Sequence, residues 1–178
     1  MRILLLSAFM LFLAGTTAAQ SRSGGAIELP KVETQHLVLT ASSSNAAAAP
    51  GTRISLFLDI APKRKMHVYT PEQKEQIPIS LSLAIEDEFK AHPIKFPKSE
   101  KYFFEPLGET QLVYSKPFRL VQDVTVALTP AMAARAREAG ATLTITGTLR
   151  YQACDDKVCY LPKELPVSWT IRLAPPER

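Results

Sequence analysis

Ile54-Ser55-Leu56-Phe57-Leu58-Asp59-Ile60 sets Ile54, Leu56, Leu58 and Ile60 against Ser55 and Asp59. An apolar side chain at every second position is the period of a β-strand with one buried face. Ile79-Ser80-Leu81-Ser82-Leu83-Ala84-Ile85 repeats the pattern, so these stretches predict two strands. Leu37 with Leu39, Val124 with Val126 and Leu128, Leu143 with Ile145 and Leu149, and Val167 with Trp169, Ile171 and Leu173 alternate in the same way. Shorter pieces at Met66–Tyr69, Ile94–Phe96 and Leu112–Tyr114 bring the expected number to eight or nine. Ala41–Pro50 reads as a loop, because Ser42-Ser43-Ser44-Asn45 opens it and Pro50-Gly51 closes it. One short helix is expected, capped by Thr129, entered at Pro130, running over Ala131–Ala139 and closed by Gly140. Short strands between Pro- and Gly-marked turns, with a single short helix, predict an all-β chain folded as an antiparallel two-sheet sandwich.

Composition narrows the function. Of 178 residues, 46% are hydrophobic and 21% charged, which excludes a disordered tail and a membrane bundle. Two cysteines are too few for a disulfide scaffold or a four-cysteine zinc site. The net charge is +4, and Lys63-Arg64-Lys65 is the one tight basic cluster, read as a solvated turn rather than a nucleic-acid surface. His36, His67 and His92 lie on separate segments, so no metal site is expected. No Gly-rich phosphate loop or nucleophile elbow occurs, and no cofactor is expected. Glu86-Asp87-Glu88 reads as a solvated turn, and Trp169 as core packing.

Residues 1–19 have the three-part form of a secretory signal peptide: Arg2, the apolar run Ile3–Ala14, and the small-residue stretch Gly15–Ala19. The run is shorter than the roughly 20 residues a membrane-spanning helix needs. No cysteine follows Leu13-Ala14-Gly15 to carry a lipid, and no later segment is apolar enough to span a bilayer. The expected organisation is a signal peptide at 1–19, a flexible lead-in at 20–31, the β-domain at 32–174 and a tail at 175–178. Export places the mature chain where Cys154 and Cys159 can bond to each other.

The chemistry concentrates in Leu149-Arg150-Tyr151-Gln152-Ala153-Cys154-Asp155-Asp156-Lys157-Val158-Cys159-Tyr160-Leu161-Pro162. Cys154 is expected to end the strand that starts near Thr142, and Cys159 to precede the strand carrying Trp169. Their sulfurs would then face each other across a hairpin. A bridge closing so short a loop stabilises by only about 2 kcal/mol in the chain-entropy model, a poor staple for a domain with its own core. Exposed at a hairpin end, it would be open to attack by another protein's thiolate. Two readings stand: a redox-active pair in a thiol:disulfide oxidoreductase, or a non-enzymatic exported binding or assembly module with a structural bridge. Asp155 and Asp156 disfavour a neighbouring thiolate and Lys157 favours one. With no His adjoining either cysteine in sequence, the pair reads as a relay rather than a strongly activated nucleophile.

Tyr151-Gln152-Ala153-Cys154 and Cys159-Tyr160-Leu161-Pro162 resemble the cysteine segment of the N-terminal domain of the DsbD thiol:disulfide interchange family. Met66-His67-Val68-Tyr69 followed by Ile77-Pro78-Ile79-Ser80-Leu81 is similar to the family's early strand pair. Glu105-Pro106-Leu107-Gly108-Glu109 through Tyr114 is similar to its cap-loop region. The likeness runs over most of Val32–Leu173. Four residues separate the cysteines here, where the best-known member has five. The resemblance implies a periplasmic immunoglobulin-like sandwich whose cysteine pair takes electrons from a membrane-embedded thiol reductase. It would pass them to periplasmic thioredoxin-like proteins, a route that also serves cytochrome c maturation. It further implies that Cys159 forms the mixed disulfide with Cys154 as its partner. Tyr69, Tyr151, Asp155 and Tyr160 would neighbour the site, and a loop at Tyr102–Gly108 would shield it through Phe103, Phe104 and Leu107.

Overall fold

The computed structural model describes residues 31–84, 87–106 and 108–176. Residues 1–30, where the signal peptide and nearly all of the lead-in are expected, lie outside them, as do Ile85, Glu86, Leu107 and the last two residues. The chain runs through β1 (Lys31–Glu33), β2 (Leu37–Ser43), β3 (Ala47–Ala48), β4 (Arg53–Pro62), β5 (His67–Tyr69), β6 (Ser80–Leu83) and β7 (Phe89–Ala91). It continues with β8 (Glu100–Phe104), β9 (Glu109–Tyr114), β10 (Phe118–Val126), α1 (Pro130–Arg135), β11 (Thr142–Tyr151), β12 (Ala153–Cys154) and β13 (Lys163–Leu173). The fold is all-β and immunoglobulin-like, as expected.

Two sheets enclose the main core, one ordered β1-β2-β4-β10-β7 and the other β3-β13-β11-β6. The alternation that marked β4 sends Ile54, Leu56, Leu58 and Ile60 inward, where Leu37, Leu39, Leu120 and Val124 of the adjoining strands join them. From the facing sheet come Leu143, Ile145, Leu149, Trp169 and Ile171. Trp169 is a core residue, and its indole N–H also donates to the Phe57 carbonyl across the sandwich at 3.2 Å. Removing these side chains from water, at about 25 cal/mol per Å² of apolar surface, is the main force closing the two layers.

Gly147 lies mid-strand on β11 opposite Leu83 of β6. A Cβ there would fall 2.8 Å from the Ser82 carbonyl oxygen and 3.0 Å from Leu83 Cδ2. The absent side chain therefore lets β6 approach. Gly147→Val is expected to destabilise the domain by roughly 1–3 kcal/mol, read as a lowered midpoint in urea monitored by Trp169 fluorescence.

Several boundaries differ from the sequence reading. Ala41–Ser43 continue β2, and Ala47–Ala48 form β3, pairing parallel with Arg172 and Leu173, so the 41–50 stretch is only partly loop. Thirteen strands are present among the described residues, because β1, β3, β7, β8 and β12 are short or lack clear alternation. Ile94–Phe96 is no strand and makes one bridge, Lys95 to Val121. Leu128 lies beyond β10 and is exposed. The helix keeps its Thr129 cap, which accepts from the Met132 N–H, but stops at Arg135 rather than Ala139. Arg135 is held by Glu88 and by the Thr142 carbonyl, tying the helix end to the strands instead of letting it continue. Glu88 is thereby paired rather than merely solvated. Lys63–Lys65 does form a turn, closed by the Met66 N–H donating to the Lys63 carbonyl at 2.8 Å.

A third sheet, ordered β12-β5-β9-β8, carries Cys154. The strand expected to run from Thr142 to Cys154 is two strands. The β11–β13 ladder ends at Tyr151 opposite Lys163, and beyond Gln152 the chain pairs with β5 instead. Gln152 fixes the crossing: its amide N–H donates to the Tyr160 carbonyl at 3.1 Å, and its carbonyl oxygen accepts from the Ile77 N–H at 3.3 Å.

Candidate functional site

Ala153 pairs with Val68, and Cys154 with His67. Because side chains alternate across a strand, Val68 and Ala153 point into the main core while His67, Tyr69 and Cys154 share the other face. On that face Tyr69, Val113 and Cys154 form a small second core, with Tyr102 packed against it. Cys154 also faces Cys159 in an isolated antiparallel bridge; the two sulfurs are bonded and the Cα atoms lie 4.0 Å apart.

The two sulfurs have unlike surroundings. Cys154 is wholly buried, whereas Cys159 is exposed. The sequence reading of an exposed bridge thus holds for one end only, since β12 carries Cys154 under the third sheet. Tyr69 is buried beneath the bond, its hydroxyl 3.0 Å from Cys154 Sγ, 3.3 Å from Cys159 Sγ and 3.3 Å from Gln111 Oε1. A disulfide has no S–H, so any hydrogen bond to sulfur is donated by the phenol, whose single proton is shared between the sulfurs and Gln111 Oε1. Burial raises the Tyr69 pKa above its ordinary value, opposed by the Gln111 contact, and keeps the hydroxyl protonated.

The loop between the cysteines is organised by Asp155. Its Oδ1 accepts from the Lys157 and Val158 N–H groups at 2.8 and 2.9 Å, and its Oδ2 from the Tyr160 hydroxyl at 2.8 Å. These backbone donors, then the Tyr160 hydroxyl, hold the Asp155 carboxyl below the usual carboxylate range. Asp156 faces outward, where it accepts from the Tyr102 hydroxyl at 3.1 Å and meets Lys65 Nζ at 3.4 Å.

Of the residues expected at the site, Tyr69 touches both sulfurs, and Asp155 and Tyr160 frame the loop. Tyr151 is elsewhere: it is buried in the main core with its hydroxyl 3.2 Å from Thr34 Oγ1. Tyr102–Phe104 is not a loop but β8, paired with β9. Strand parity turns Phe103 out, 59% exposed, and Phe104 in, 4% exposed, with its ring 6.5 Å from that of His67. Leu107 lies outside the described residues. Sequence reasoning placed Tyr102 only at the start of the shielding loop, missed Gln111 at this site and placed no weight on His67, although Met66–Tyr69 belonged to the quoted resemblance. Only the pairing of β12, β5, β9 and β8 brings these side chains to the sulfurs.

Together these features define a β-sandwich with a third sheet that buries one cysteine of a disulfide and leaves the other exposed. The family model described as thiol:disulfide interchange protein DsbD, N-terminal, matches residues 18–168, and the chain belongs to that family. It is accordingly a thiol–disulfide interchange domain. Among solved structures, the N-terminal periplasmic domain of ScsB from Proteus mirabilis is similar in fold, with a TM-score of 0.53 and 12% identity. That match covers 82% of this chain and 51% of the other, so the chain spans about half of that structure. The GAE domain of GGA2p from Saccharomyces cerevisiae matches at a TM-score of 0.43 and 8% identity, covering 82% of this chain and 99% of that one. No curated protein matches the sequence significantly.

Proposed function

We propose that the domain relays two electrons through Cys154 and Cys159 by transient mixed disulfides with partner oxidoreductases. The observation that carries this reading is the unequal exposure of the two sulfurs. An incoming thiolate reaches Cys159 and not Cys154. Attack on Cys159 Sγ forms the mixed disulfide and breaks the Cys154–Cys159 bond, whose electron pair stays on Cys154 Sγ. The Tyr69 hydroxyl, 3.0 Å away, donates to that sulfur as its charge develops. A second thiol of the donor then displaces Cys159 and leaves the domain as a dithiol. In the outgoing half, Cys159 thiolate attacks the acceptor's disulfide and Cys154 resolves the intermediate.

The donor in this reading is a membrane-embedded thiol reductase, and the acceptors are periplasmic thioredoxin-like proteins, including those serving cytochrome c maturation. Family membership and the leader-like residues 1–19 support a periplasmic setting. Among the described residues no helix is long and apolar enough to cross a membrane. Tyr102, joined to Asp156, covers the buried sulfur from the β8 side, with Phe103 exposed beside it on the same strand. Shielding by this edge keeps thiols from Cys154 and leaves Cys159 as the point of attack. Cys154→Ala, leaving Cys159 single, is expected to trap a thioredoxin-like protein as a mixed disulfide in a periplasmic extract. Failure to trap one, with a bridge that resists reduction below about −300 mV, would leave the bond a structural one.

A further inference from the structure

Resolution of the mixed disulfide requires a thiolate at Cys154, the one cysteine that is fully enclosed. A thiol in such surroundings ionises reluctantly. Tyr69 on β5 and Tyr102 on β8 are phenols whose pKa values are raised, first of all by burial. Asp155 is committed to three donors, and Asp156 is engaged by Tyr102 and Lys65. Gln111 on β9 is neutral.

His67 remains. Its register pairs it with Cys154 across β5 and β12, and cross-strand partners hold their Cβ atoms about 4.5–5.5 Å apart on one face. The side chain is 1% exposed, and Nε2 has no hydrogen-bond partner among the described residues, the disulfide-bonded Cys154 sulfur included, so its lone pair is uncommitted until the bond opens. Its ring is fixed by Tyr102 at 4.5 Å between centroids and by Tyr69 at 5.9 Å. Resting on the relay reading, we propose that His67 is the base that takes the Cys154 thiol proton during resolution.

Burial lowers the His67 pKa while Asp156 and Asp155 push it upward, and the net lowering favours the neutral imidazole that can accept a proton. In the step, the Cys154 S–H proton passes to His67. The thiolate pair forms the Cys154–Cys159 bond while the bond from Cys159 to the acceptor sulfur breaks. That sulfur leaves with the electron pair and recovers a proton from the imidazolium. Counting the proton Cys159 gives to solvent before its first attack, two electrons and two protons leave the pair and reach the acceptor.

The test mixes the full-chain dithiol with oxidised glutathione and follows the Cys159–glutathione species by acid quench and mass spectrometry between pH 5 and 9. In the wild type, resolution is expected to rise with pH as the imidazole loses its proton and then level off. His67→Gln should form the mixed species at an unchanged rate but resolve it roughly 100-fold more slowly at pH 7, still climbing at pH 9. His67→Tyr keeps an aromatic ring against Tyr102 and should show the same defect, which guards against a folding failure in either variant. Resolution within twofold of wild type in a folded variant, with the same pH profile, would overturn the role of His67. A wild-type dithiol that never forms the mixed species would overturn the relay reading itself.

Discussion

Cys159→Ala is expected to abolish disulfide exchange with any partner, while Cys154→Ala should retain the first half-reaction and stall as a mixed disulfide. The two substitutions remove the same bond, so a purely structural bridge would make them equivalent. Their expected difference comes from exposure: Cys159 meets solvent and Cys154 does not. Each loses the bridge at a small cost to the fold, and Cys154→Ala also leaves a gap beside Tyr69 and Val113. With a sequence separation of 5, the bridge closes a short loop and contributes about 2 kcal/mol in the chain-entropy model. The core around Leu58, Leu120, Ile145 and Trp169 does not involve either sulfur. Both variants should therefore unfold cooperatively, slightly below the parent, and differ from each other chiefly in thiol chemistry. That comparison pairs urea unfolding with a stopped-flow assay of mixed-disulfide formation.

Tyr69→Phe should slow reduction of the bond by roughly 10- to 100-fold, the equivalent of losing one hydrogen bond to a charged group worth about 1.5–3 kcal/mol. The ring fills the same volume, so Val113 and Cys154 keep their packing, but nothing donates to Cys154 as it becomes a thiolate. The same loss disfavours the reduced state and should make the bond harder to reduce at equilibrium. Because the phenol stays protonated until well above neutrality, the defect should be independent of pH between 5 and 8. That separates it from the pH-dependent defect expected of His67. Stopped-flow reduction by dithiothreitol reads both properties, and a Tyr69→Phe rate within twofold of wild type would remove Tyr69 from the chemistry.

The alternation at Ile54–Ile60, Leu143–Leu149 and Val167–Leu173 was enough to read the sandwich, because each run has one face against water and one against the core. The cysteine segment was legible for a different reason: spacing alone puts two sulfurs across a hairpin. What sequence order does not encode is which sulfur is buried. That depends on the chain leaving β13 at Gln152 and joining β5, a pairing with residues some 85 positions earlier, Cys154 with His67. His67 adjoins no cysteine in sequence yet is the partner of one in the sheet. Tyr102 and Phe103 had the look of a Pro- and Gly-marked loop, but Glu100–Phe104 finds a partner in β9, and strand parity then sends Phe104 into the interior. Short edge strands of this kind owe their existence to a neighbour rather than to their own pattern.

The most direct measurement asks which sulfur an incoming thiol occupies. The oxidised full-length chain would be mixed with glutathione, quenched in acid within the first turnover, alkylated and mapped by peptide mass spectrometry. Glutathione on Cys159 with alkylated Cys154 is the predicted result. Glutathione on Cys154, or on both cysteines equally, would contradict the account, as would a bond that takes up none under conditions that reduce an exposed model disulfide.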